Sequence, residues 1–72
     1  MIPGKLYRVI GGSVGFECRN YIPDNSLFML LNIKSINDYS TYDIRITVLY
    51  KAQTFTRGLK TEQFYEWFKQ VN

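Results

Sequence analysis

The chain has no histidine, and Cys18 is its only cysteine in 72 residues. Without imidazole there is no histidine general base, no Ser-His-Asp triad and no nitrogen ligand of the kind zinc usually takes. One thiol cannot close an internal disulfide or build a cysteine zinc site. We therefore expect no metal, no cofactor and no enzymatic activity. Small secreted domains are commonly stapled by disulfides, so their absence points to a reducing compartment, the cytoplasm, or the host cytoplasm if the chain is viral. Long apolar runs are missing too. Nothing approaches the roughly 20 apolar residues that span a bilayer, and no signal-peptide core follows Met1-Ile2-Pro3-Gly4-Lys5. Asn-x-Ser/Thr acceptors are also absent.

Charge of either sign is sparse. Nine Lys and Arg against six Asp and Glu leave +3, with the cations scattered along the chain. A polybasic nucleic-acid tract is excluded, and only folding could gather a basic surface.

Aromatic residues are plentiful: five Phe, six Tyr and one Trp. A domain of this length lies near the lower limit for unassisted folding, and large rings bury much area per ordered residue. Residues 1–72 are expected to form one domain.

Alternation is clearest over residues 43–50. Ile44, Ile46, Val48 and Tyr50 share one face of an extended segment, opposite Asp43, Arg45, Thr47 and Leu49. This segment is expected to be the central strand, with its first set inward. Pro3-Gly4 opens a turn into a strand at Leu6–Ile10, with Tyr7 and Val9 inward and Arg8 outward. Gly11-Gly12 breaks that run. Val14, Phe16 and Cys18 alternate with Gly15, Glu17 and Arg19, which predicts a second strand with Cys18 as a small core residue.

After a turn at Pro23-Asp24-Asn25-Ser26, Leu27–Lys34 is apolar on both faces at its start. Leu27, Met29, Leu31 and Ile33 lie on one side, Phe28 and Leu30 on the other, so a second layer must cover the Phe28 side. A turn at Lys51-Ala52-Gln53 leads to a strand from Thr54 to Arg57. That turn lacks a glycine-based hairpin signature, so register is open, with Phe55 expected inside. Gly58 is expected to end the strand. Thr61 then reads as the N-cap of a C-terminal helix over residues 62–71, whose stripe is Phe64, Trp67, Phe68 and Val71.

The segments Pro3-Gly4-Lys5-Leu6-Tyr7-Arg8-Val9, Leu27 to Leu31, and Ile46-Thr47-Val48-Leu49-Tyr50-Lys51 running on to Thr54–Arg57 resemble the small SH3-like barrels, including those of bacteriophage and mobile-element proteins. The resemblance covers most of residues 3–58. It implies a mainly β fold, a small antiparallel SH3-like barrel of about five strands, to which the C-terminal α-helix read from the spacing above is an addition that closes it. It also implies a small binding adaptor, a phage-type modulator or inhibitor occupying a host protein, without assigning any residue a role.

Gly11-Gly12-Ser13-Val14-Gly15 lacks the Gly-Lys-Ser/Thr ending of a phosphate loop and is expected to be a flexible hairpin loop. Asp24, Asp38 and Asp43 sit in or beside turns, where aspartate bonds local backbone. The candidate binding residues are Lys34, Arg45, Arg57, Tyr42 and Phe28. A link centred near Tyr39 and Ser40 would set Lys34 opposite Arg45, Asn32 opposite Thr47 and Leu30 opposite Leu49. Like charges across a ladder are unfavourable. An acidic protein surface would resolve them, as would nucleic acid with Tyr42 stacking on bases. A solvated face neutralised by Asp43 would too. Phe28, Leu30 and Leu49 form a candidate surface for a second copy of the chain, should the helix pack elsewhere.

Overall fold

The computed structural model describes residues 1–36 and 41–71. Its elements are β1 (Leu6–Val9), β2 (Val14–Gly15), a 3-10 turn (Glu17–Arg19), β3 (Tyr21–Ile22), β4 (Leu27–Ser35), β5 (Ile44–Tyr50), β6 (Gln53–Leu59), α1 (Thr61–Trp67) and β7 (Phe68–Gln70). The mainly β expectation holds. Five strands form one antiparallel sheet in the order β6-β5-β4-β1-β7, and β2 and β3 form a separate two-stranded ribbon. The large sheet is not closed into a barrel, since no ladder joins β6 to β7 among the described residues. Trp67, just ahead of β7, lies instead beneath Arg57 of β6, whose guanidinium carbon is 4.7 Å from the ring centre.

Alternation predicts β5 well. Ile44, Ile46 and Val48 are buried, and Tyr50 packs half-buried against the core. The middle position of the sheet, however, belongs to β4, flanked by β1 and β5. Phe28 and Leu30 of β4 are core residues, whereas Leu27 and Leu31 are exposed. The start of the strand is thus apolar on its outer face as well as its core face, and a bulge follows between Leu30 and Asn32. The extra residue resets the phase, so Ile33, across from Ile46, returns to the core side. Lys34 does lie opposite Arg45 and Asn32 opposite Thr47, but Leu30 faces Val48 while Met29 faces Leu49. The expected link centre at Tyr39 and Ser40, and Asp38, lie outside the described residues.

Pro3-Gly4 makes the expected turn, with Gly4 at φ 87° and the Lys5 amide donating to the Ile2 carbonyl. At the other apolar hairpin, Tyr50 pairs with Gln53 and Phe55 with Val48, so Phe55 is buried. Lys51 and Ala52 therefore make a two-residue turn, both at positive φ (49° and 61°). Gly58 does not end β6, which runs on to Leu59. A strand glycine leaves a gap in the sheet face, and here the Tyr42 ring fills it. A β-carbon on Gly58 would come within 3.0 Å of that ring.

Two further stretches depart from expectation. The second strand stops at Gly15. Phe16 is buried as predicted, but Glu17–Arg19 form a tight turn in which Cys18 and Arg19 take φ 62° and 60°. Cys18 is consequently exposed rather than in the core. The helix is also shorter than predicted. It ends at Trp67, and Phe68 turns extended to pair with Val9, while Gln70 pairs with Tyr7. Two helical turns are marginal alone, and the free edge of β1 offers ladder bonds in their place. Phe64 and Phe68 still meet in the core, at 5.1 Å between ring centres, and Phe68 packs edge-on against Phe28 at 4.9 Å. Thr61 is the first helical residue, not the cap. The Lys60 amide donates to the Gln63 side chain, and Asp43 accepts from both the amide and the hydroxyl of Thr61.

Candidate binding cleft

An open cleft of about 480 Å³ lies between the segment at Gly15–Glu17 and the ends of β5 and β6, with Tyr42, Arg45, Arg57 and Gly58 on its walls. Its shape follows from how the chain turns after β2. Phe16 packs on Phe55 at 5.9 Å between ring centres, on the inner side of the sheet. The tight turn then carries Glu17 across β6 to the outer side. There Arg45 donates through Nη2 to both carboxylate oxygens of Glu17, at 2.6 and 2.7 Å, and the Thr56 hydroxyl donates to Oε2 at 2.7 Å. The pair is solvent-exposed, with about 45% of each side chain accessible. The Thr56 hydrogen bond and, second to it, the Arg45 guanidinium hold the Glu17 carboxyl below the usual carboxylate range.

The structure brings together three of the five residues singled out from the sequence. Arg45, Arg57 and Tyr42 line the cleft. Arg57 donates to the Gly15 carbonyl at 2.7 Å while its guanidinium covers Trp67. Tyr42 is 43% exposed and lies over Gly58. Lys34 stands exposed beside the cleft, paired across the ladder with Arg45. Phe28 does not belong to any surface: at 2% exposure, stacked near Tyr7 and Phe68, it is structural. The proposed self-association patch disappears with it, because Leu30 is fully buried as well.

The counter-charge to Arg45 is Glu17, not Asp43, whose Oδ1 caps the helix start. Sequence reasoning missed Glu17 because strand alternation, continued through Cys18, cannot place a residue on a bend. The available signal was the like-charge pair itself, which calls for an acid from somewhere in the fold. Asp24 follows the turn reading in part: its Oδ1 accepts from the Gly12 amide at 3.2 Å, tying the glycine loop to the Pro23 turn. No cluster of metal-binding side chains occurs among the described residues. No helix among them is long and apolar enough to cross a membrane. Compared with protein families, curated proteins and solved structures, the chain matches none.

Proposed function

We propose that this protein is a non-enzymatic binding module that takes hold of an acidic segment of a protein partner at the cleft beside β6. The supporting observation is the convergence of Arg45 and Thr56 on one exposed carboxylate. Two donors arranged around a carboxylate at the surface make a receptor for that group, because a charge-assisted, two-oxygen contact with arginine is geometrically selective. Glu17 occupies the receptor within the molecule, and a partner's Asp or Glu replaces it on binding. An exposed ion pair is worth little net free energy in water, so the exchange costs little. Tyr42 beside the receptor adds a flat, amphipathic contact of the kind enriched at interfaces.

The SH3-like resemblance extends this proposal. The chain is then an open relative of those small barrels, a phage-type modulator occupying a protein of its host cytoplasm. Nucleic acid is the rival ligand: a phosphate would displace Glu17 from Arg45 as a carboxylate would, but a backbone running on to Arg57 would also have to break its bond to the Gly15 carbonyl.

Titration of ¹⁵N-labelled protein with a glutamate-rich peptide and with a single-stranded oligonucleotide tests the proposal. Glu17→Gln should tighten peptide binding severalfold by vacating Arg45, and Arg45→Glu should abolish it. Equal peptide affinity in the wild type and both variants would remove the cleft as the site. Preferential, steeply salt-dependent oligonucleotide binding would transfer it to nucleic acid.

A further inference from the structure

Among the described residues, no layer covers the outer face of the five-stranded sheet, where Leu6, Leu27 and Leu31 stand exposed, and its composition is unusual. Cross-strand register sets Leu6 beside Met29 and Met29 beside Leu49. Leu27 precedes Met29 on the same face of β4, and the bulged Leu31 follows it. Leu6, Leu27 and Leu31 are 38, 41 and 38% exposed. Each end of this apolar band is closed by two cations directly opposite one another: Arg8 with Lys69 at one end, Lys34 with Arg45 at the other. Like charges so placed are destabilising. None of the five strands contains an acidic residue. Among the described residues, the acid that bonds to this face is Glu17, reaching Arg45 from outside the sheet.

We infer that this face is a docking surface for an amphipathic segment of another protein, apolar in the middle and acidic at both ends. Charge complementarity selects that occupant, since a partner's carboxylates would neutralise Arg8 and Lys69 at one end and, at the other, Lys34, whose neighbour Arg45 already holds Glu17. A second copy fits badly. Both ends are basic, so two-fold pairing would oppose cations to cations. The two cation pairs are roughly 20 Å apart along β4, taking about 3.3 Å per strand residue. A helix of about 14 residues has that length. Leucines at positions i, i+3, i+4 and i+7 would follow the apolar band, and glutamates in its first and last turns would meet the cations. This surface shares only Arg45 with the cleft, so the two are tested separately.

The probe is a synthetic 16-residue peptide with leucines at that spacing and two glutamates at each end. A second peptide carries lysines in their place. Titrated into ¹⁵N-labelled protein, the glutamate peptide is expected to shift the amides of Leu6, Leu27, Met29, Leu31 and Leu49, and the lysine peptide to leave them unmoved. Leu27→Ser with Leu31→Ser alters only exposed side chains and should weaken the glutamate peptide at least tenfold, with the thermal midpoint showing that the fold survives. Arg8→Glu with Lys69→Glu should do the same without touching the cleft. Binding of both peptides alike, of neither, or of the glutamate peptide with unchanged affinity in both double variants overturns the inference. So does a dimer in sedimentation that the two serines dissolve, because it assigns the face to a second copy.

Discussion

Replacing Ala52 by glycine should stabilise the protein. The two-residue turn between β5 and β6 places Lys51 at φ 49° and Ala52 at φ 61°, a left-handed conformation that costs an L-residue about 1 to 2 kcal/mol. Tight hairpins of this kind favour Asn-Gly, because their twist matches that of the flanking strands and glycine has no β-carbon to clash. Ala52 is exposed, so its removal loses no packing. Against the relief stands the greater freedom of glycine in the unfolded chain, about 0.4 to 1 kcal/mol. The balance is a gain of about 0.5 to 1 kcal/mol. With an unfolding entropy near 2.1 cal/mol/K per residue, a domain of this size should melt about 3 to 7 °C higher. Lys51 is left in place, because its ammonium lies 5.5 Å from the Tyr50 ring centre and contributes on its own account.

Thermal and urea denaturation followed by circular dichroism provide the measurement, with an unchanged urea slope showing that the unfolded state is the same. Ala52→Val is the complement. A β-branched side chain in this conformation is strongly disfavoured, and the midpoint should fall. If glycine leaves the midpoint unmoved or lowers it while valine is tolerated, the turn does not have the geometry described, and the pairing of Phe55 with Val48 loses its support.

Two further outcomes follow from the core and the ion pair. Ile46 is fully buried in the middle of β5, so Ile46→Ala should cost about 2 to 5 kcal/mol in urea denaturation, most of the stability of so small a domain; a loss below ~1 kcal/mol would mean the strand is not packed as described. Glu17, with its carboxyl depressed by Thr56 and Arg45, stabilises the fold at pH values above the ordinary carboxylate range, and that contribution disappears as the pH falls through the depressed value. Stability measured from neutral to acid pH should therefore drop less steeply in Glu17→Gln than in the wild type, and identical slopes would sink the assignment.

Where one local pattern governed a segment, the sequence was legible. Strict alternation in β5 follows from the two-residue period of an extended chain; the pairing of Lys34 with Arg45 came from placing the link centre near Tyr39 and Ser40, and the inward Phe55 from the need of so short a chain to bury its large rings. Errors arose where a single residue changes that period. Leu31, inserted as a bulge, exchanges the two faces of β4 partway along, and no composition rule marks the position. Cys18 and Arg19 bend the chain in a left-handed conformation that their identity does not announce, and the bend leaves Cys18 exposed rather than in the core. At the C-terminal end, spacing predicts a helix through Phe68 correctly as far as local preference goes. The vacant edge of β1, a tertiary feature, converts the last residues into a strand. The middle rank given to β5 failed for the same reason: alternation reports which way side chains point, and says nothing of how many neighbours a strand acquires.

The contact between Arg57 and Trp67 joins edge strand β6 to the end of α1, just ahead of the opposite edge strand β7, and Trp67 is the only tryptophan in the chain. Its fluorescence is thus a single-site gauge of that contact. A cation over the indole face alters the emission, so an event that parts β6 from the end of α1 will register as a change in colour or intensity. The protein carries its own optical reporter on the wall adjoining the candidate cleft, and occupancy there can be followed without attaching a dye.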